Sequence, residues 1–114
     1  VKLSGYHHGH IEVDGVEERR DLIIVGETVH RDWWRQKGHL LRLDDLGPVL
    51  DDPPDILVIG TGSMGVMRCE QGLAAALVER GITAEIMPTA KAAERFNELT
   101  RQGVNVAAAL HLTC

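Results

Sequence analysis

Gly60-Thr61-Gly62-Ser63-Met64-Gly65 follows directly on the apolar run Ile56-Leu57-Val58-Ile59. This is the G-x-G-x-x-G spacing with which a backbone closes on a phosphate at a helix N-terminus. Two features count against a dinucleotide site. The strongly helical residues begin only near Glu70 or Gln71, and Met87-Pro88-Thr89 places no acid at the end of the next strand for a ribose hydroxyl. Glu85 lies at nearly the right distance but inside that strand. A tight turn presenting backbone amides is expected instead, open either to a small anion or to no ligand.

Further polar residues gather around this turn if the strands that carry them run parallel. Thr61 and Ser63, then Pro88, Thr89 and Lys91, then His111, Thr113 and Cys114 would share the carboxyl edge of a sheet, where α/β proteins bind ligands. Gly60, Thr61, Gly62, Ser63, Gly65, Pro88, Thr89, Lys91 and His111 are therefore the candidate ligand-binding residues. The structural alternative is that Thr89 caps its helix, Lys91 is solvated and His111 is a satisfied strand residue. His111 and Cys114 would point to opposite faces of an extended strand, so they do not read as a nucleophilic pair. No G-x-S-x-G elbow is present and no catalytic residue is assigned.

His7, His8 and His10 invite a metal reading, with His8 and His10 on one face of a strand, but no cysteine or second ligand pair stands at zinc spacing. Surface histidines are expected, and neither a metal nor a cofactor. Arg31, Trp33, Trp34, Arg35 and Lys37 form the one basic and aromatic cluster. One tryptophan is expected to pack inward there while the charges stay solvated. The formal net charge is −5 and the other cations are scattered among acids, which argues against the concentrated basic surface of a nucleic-acid partner and leaves base stacking on the tryptophans as the lesser alternative for this cluster.

The elements that must position these residues divide the chain in two. In the first half, Gly9 to Val13 alternates, Asp14-Gly15 is a hairpin turn signal, and Glu18 to Val25 supplies the returning strand. Residues 26–34 could add a third extended piece, and Asp44 or Asp45 could cap a short helix reaching about Leu50, stopped at Pro53-Pro54. The second half reads strand, helix, strand, helix, strand. Ile56–Ile59 leads to a helix over Leu73–Val78 closed by Gly81, then a strand over Ile82–Met87, a helix from Ala90 to about Arg101, and a small-residue strand from Val104 to Leu112. Such a βαβαβ unit is parallel and right-handed.

At 114 residues, 44% hydrophobic and 25% charged, one domain with one core is expected. Aromatic residues are only 4%, so aliphatic side chains must fill that core, as in a helix-covered sheet. Two cysteines, no apolar leader region and no membrane-length apolar run point to the reducing cytoplasm, with no membrane insertion.

Three stretches in combination, Asp55 to Gly62, then Met87-Pro88-Thr89 with Ala92 and Asn97, then Val106 to Cys114, resemble one known family. It is the domain of unknown function shared by the adipogenesis-associated protein and a mitochondrial complex I assembly factor, with bacterial and archaeal members. Gly9 to Asp21 resembles its opening hairpin and Trp34 its central tryptophan. The resemblance implies a single three-layer α/β domain, with a mixed central sheet, helices and an extra β layer. It carries over no catalytic residue. It favours a non-enzymatic protein-interaction or assembly module; the alternative is a small-ligand or anion-binding protein, or a minor enzyme, using the glycine turn and the carboxyl edge.

Overall fold

A computed structural model describes residues 1–114. Its centre is dictated by strands whose side chains are apolar on both faces. Strand β4 (Leu22–Val25), β7 (Ile56–Thr61) and β10 (Val106–His111) are buried along nearly their whole length. Alternate residues of each enter separate halves of the core. Leu22, Ile24, Val58, Ala108 and Leu110 pack on one face, and Ile23, Val25, Leu57, Ile59, Ala107 and Ala109 on the other. A strand that reads as a continuous apolar run is the expected product of burial on both faces.

These strands, with β5 (Thr28–His30) and β9 (Thr83–Met87), form a five-stranded mixed sheet in the order β5-β4-β10-β7-β9. Strands β10, β7 and β9 are mutually parallel, as expected for the βαβαβ unit, whereas β4 runs antiparallel to β10 and β5 antiparallel to β4. On one face lies α3 (Thr89–Arg101), which buries Ala92, Ala93, Phe96 and Leu99. A three-stranded antiparallel layer of β1 (Leu3–His7), β2 (His10–Val13) and β3 (Val16–Glu18) shares that half of the core through Leu3, Ile11 and Val13. The other face is covered by a short 3-10 turn (Leu43–Leu46), α1 (Gly47–Asp51) and α2 (Leu73–Glu79). A two-stranded parallel ladder joins β6 (Leu40–Leu41) to β8 (Arg68–Cys69).

The first half departs from the sequence expectation in two ways. The Asp14-Gly15 turn does join β2 to β3, with φ of 50° and 82°, the left-handed pair that matches the twist of a two-residue hairpin. The returning segment from Glu18 to Val25, expected as one strand, is instead two. It leaves the outer layer after Glu18 and re-enters as β4 in the central sheet. A segment that is polar through Arg19-Arg20-Asp21 and then apolar on both faces suits two different environments.

The other departure is β1, for which the sequence offered no pattern. Asn97 explains how this strand is held. Its side chain accepts from the Leu3 amide at 2.9 Å and donates to the Leu3 carbonyl at 2.6 Å, so a helix side chain imitates a neighbouring strand. Asn97→Ala would leave both backbone groups of Leu3 without partners. A loss of about 1–3 kcal/mol is expected, the usual cost of stranding a buried polar group. Urea unfolding would measure it, and hydrogen exchange should show β1 opening ahead of the central sheet.

Candidate functional site

The carboxyl ends of β7, β9 and β10 meet at one edge, and the glycine turn leaves β7 there. Thr61 Oγ1 donates to the Met87 carbonyl at 3.1 Å and so ties the end of β7 to the end of β9. Thr89 was expected to cap α3. The structure corrects this: Pro88 occupies the cap position, and no side chain caps the helix. The Thr89 hydroxyl, wholly buried, instead donates to the His111 carbonyl at 2.6 Å and accepts from the Gly62 amide at 2.8 Å. A helix side chain thus joins the end of β10 to the turn after β7.

This packing requires glycine at two points. A β-carbon at Gly60 would lie 2.8 Å from Thr89 Oγ1 and 3.2 Å from its Cα. At Gly62, where φ is 103°, it would fall within 2.7 Å of backbone atoms of Thr113 and Cys114. The amides of the turn are largely used inside the protein. Ser63 N–H donates to the Thr113 carbonyl at 2.7 Å, Val66 to Cys114 at 3.0 Å, Met67 to Thr61 at 3.1 Å and Gly65 to Gly62 at 3.3 Å. Pro88, Lys91 and Gly65 are exposed.

No cavity opens among these residues. The largest one, about 320 Å³, lies elsewhere, between Val25, Thr28 and His30 and the Pro48 and Asp51-Asp52 region. Another, of about 200 Å³, separates β1 from α3.

His111 draws in Asp21, which no sequence pattern marks, and Arg35, whose charge was expected to be solvated. Asp21 Oδ2 accepts from His111 Nδ1 at 2.8 Å and from Arg35 Nη2 at 2.9 Å, while Oδ1 accepts from the Leu112 amide at 2.8 Å. Arg35 also donates through Nε and Nη2 to the Gly38 carbonyl, at 3.0 and 2.8 Å. Its guanidinium lies 4.6 Å from the centre of the Trp33 ring, a cation–π distance. Arg35 and His111 are 7% and 5% exposed, so this is a buried triad and not a surface ion pair. With one oxygen accepting from both, the Nδ1 proton belongs on the Asp21 side and the guanidinium is held beside the imidazole by the shared carboxylate. Arg35 Nη1 and His111 Nε2 are buried with no partner. The Asp21–His111 pair resembles an oriented general base, but with Nε2 sealed the imidazole reaches no solvent-borne substrate.

In the aromatic cluster one tryptophan packs inward, as expected, but the charges do not all stay solvated, since Arg35 is buried. Trp33 packs inward and donates from Nε1 to the Asp45 carbonyl at 2.8 Å, whereas Trp34, the residue matched to the family's central tryptophan, is 77% exposed. Arg31 is paired with Glu18 at 2.7 Å. Among the N-terminal histidines, His8 does not share a strand face with His10, because it lies in the β1–β2 turn. His7 is paired across from His10, and the two rings stack at 4.3 Å. His10 is buried between the Gly5 carbonyl and the Glu17 carboxylate, and His8 Nδ1 stands 2.7 Å from Ser63 Oγ.

Tyr6 completes the edge, donating to the Leu112 carbonyl at 2.9 Å. Burial pushes its phenol above the usual value, against the opposing hydrogen bonds of Ser63 and Thr89 and with a smaller contribution from the Asp21 charge.

The sequence profile described as "Protein of unknown function (DUF498/DUF598)" matches residues 3–111. The chain belongs to this family. It is the family that the three sequence stretches resemble. An uncharacterized protein of Rhodobacter capsulatus is 32% identical over 112 residues, 96% of this chain and 83% of that one. Among solved structures, a conserved hypothetical protein of Pyrococcus horikoshii superimposes with a TM-score of 0.84 at 26% identity, with 100% of both chains covered. A Bartonella henselae chain described as an outer membrane protein gives a TM-score of 0.82 at 25% identity, covering 98% of this chain and 94% of that one. The DUF498/DUF598 domain thus keeps one fold across bacterial and archaeal relatives. No helix of this chain is long and apolar enough to cross a membrane.

The triad makes this member's stability depend on acid. Burial alone would raise the Asp21 pKa. The hydrogen bonds from His111 and the Leu112 amide, with the His111 and Arg35 charges, outweigh it and hold the carboxyl below its usual range. A lowered folded-state pKa adds stability above the unfolded value, about 3.9, and that stability is lost as pH falls through the folded one. The urea midpoint should therefore drop below about pH 4. In Asp21→Asn the drop should be shallower, the remainder coming from pairs such as Glu85 with Arg95. At neutral pH the same variant should lose about 3–5 kcal/mol, because Arg35 would keep its buried charge without a counter-ion.

Thr89→Val, in turn, would strand the Gly62 amide and the His111 carbonyl. A cost of about 1–3 kcal/mol per stranded group is expected, above the ~1 kcal/mol of a lost cap, and thermal denaturation would distinguish the two.

Proposed function

We propose that this domain is a protein-interaction module that works without catalysis in assembly, docking its partner on the rim of the carboxyl edge. The observation that carries this reading is the exposure of three large apolar side chains in the two loops at that edge. Trp34 is 77% exposed, Met64 79% and Val66 42%, while the Asp21–Arg35 ion pair and the Thr89–Gly62 hydrogen bond between those loops are turned inward. Exposed Trp and Met side chains are favoured contact residues, since they supply large apolar area at low cost in hydrogen bonding. The triad supports the same reading. It roots the loop that bears Trp34 in the sheet through Arg35, so the loop is preorganised and less ordering entropy opposes binding. The assembly role of the mitochondrial relative points the same way. We place the protein in the cytoplasm on its two free cysteines.

The alternative of anion binding at Gly60 to Gly65 and Thr89 to Lys91 has less support, because most amides of that turn already have acceptors inside the protein.

The test is co-purification from the source cells, followed by reconstitution with the purified partner. Trp34→Glu combined with Met64→Glu should leave the melting temperature nearly unchanged, as both residues are exposed. Affinity should fall by about 2 kcal/mol or more, roughly thirtyfold, as for a central contact residue. Equal affinity of wild type and variant would place the partner on another face.

A further inference from the structure

We propose that Ser63 and His8 form an acyl-accepting dyad that acts on short-chain acyl esters. The two residues come from turns 55 positions apart, yet Ser63 Oγ and His8 Nδ1 stand 2.7 Å apart, the separation of a nucleophile and its base. One stretch of backbone sets both. The Gly9 amide, next to His8, donates to the Leu112 carbonyl at 2.8 Å, and the Ser63 amide donates to the Thr113 carbonyl at 2.7 Å. The pair is thus indexed against the end of β10 from both sides, and its geometry does not depend on two independent loops.

A second observation points to the same chemistry. From Gly62 to Met67, every amide donates inside the protein except that of Met64. It belongs to the residue after the serine, the position whose N–H serves as an oxyanion donor when a serine sits on a tight turn at the end of a strand.

The surroundings decide the substrate class. His8 is exposed and Ser63 partly so, and no cavity lies beside them. The neighbouring apolar side chains are the exposed Met64 and Val66. With no cavity to enclose it, an ester would meet the pair at an open surface, which admits a small acyl group without selecting its alcohol.

With the imidazole proton on Nε2, Nδ1 takes the hydroxyl proton as Ser63 Oγ attacks the ester carbonyl. The Met64 N–H donates to the oxyanion. Collapse of the tetrahedral intermediate breaks the bond to the alcohol, which leaves with the proton held by His8. Water, deprotonated by His8, then attacks the acyl-serine, releasing the carboxylic acid and restoring Ser63. No hydrogen bond to a carboxylate orients His8, so the unit is a dyad and slow turnover is expected. Met64 belongs to both sites, its side chain to the docking rim and its amide to this one, whereas Ser63 and His8 take no part in docking, so the variants below test the dyad alone.

The experiment treats the full chain with p-nitrophenyl acetate and follows nitrophenolate release, intact mass and peptide mapping. One acetyl group on Ser63 is expected, and it should be absent in Ser63→Ala. His8→Gln should slow release about a hundredfold, the lower range of general-base catalysis, and remove the imidazole limb from the pH–rate profile. Ser63→Cys, nearly the same size, should still acetylate in a His8-dependent manner, which guards against an alanine variant that fails to fold. Acetylation confined to lysines such as Lys91, or Ser63 labelled equally fast in His8→Gln, would overturn the proposal.

Discussion

Strand β10 lies between β4 and β7 with both faces buried, and every backbone group at its end must find a partner inside the protein. Much of the structure at the carboxyl edge answers that demand. The His111 carbonyl accepts from Thr89, the Leu112 amide donates to Asp21, and the Leu112 carbonyl accepts from both Gly9 and Tyr6. The Thr113 carbonyl accepts from Ser63. Four stretches that are distant in sequence converge there because one strand end would otherwise hold unsatisfied polar groups in an apolar interior.

This convergence changes what the glycine-rich turn is for. A turn of this spacing is usually read as a cradle for an outside anion, yet here the chain's own carbonyls lie against it. Glycine is needed because Thr89 and the 113–114 backbone come too close for a side chain. The same closeness leaves Met64 and Val66 facing outward. A rigid polar interior and an apolar rim are thus two results of one packing solution. Asp21, placed just before β4, extends it by drawing in Arg35 and with it the loop that carries both tryptophans.

The family relation is consistent with this division of labour. The chain shares its whole fold with a Pyrococcus horikoshii protein at 26% identity, so the architecture tolerates replacement of most side chains. An architecture held by two-sided aliphatic strands and backbone hydrogen bonds can do so, because volume and pattern matter more to it than identity.

The second half of the fold was legible in the sequence, since burial on both faces writes a continuous apolar run and helix ends carry glycine. Ile56–Ile59 and the helix ending before Gly81 show this directly, as does the small-residue strand after Gly103. Local turn chemistry likewise determined the Asp14-Gly15 hairpin. Only the tertiary structure decided the rest. Strand β1 is specified by a helix residue more than ninety positions away, the pairing of Leu3 with Asn97, which no local pattern announces. Thr89 looked like a helix cap because sequence shows its neighbours along the chain and not the two strand ends above it. His111 was legible as a residue of the edge, but Asp21 and Arg35 were not, because a buried charge reads as a surface charge until its counter-ion is brought alongside. The Ser63–His8 contact has the same origin: propensities are local, whereas hydrogen-bond partners are set by where the folded chain places distant residues.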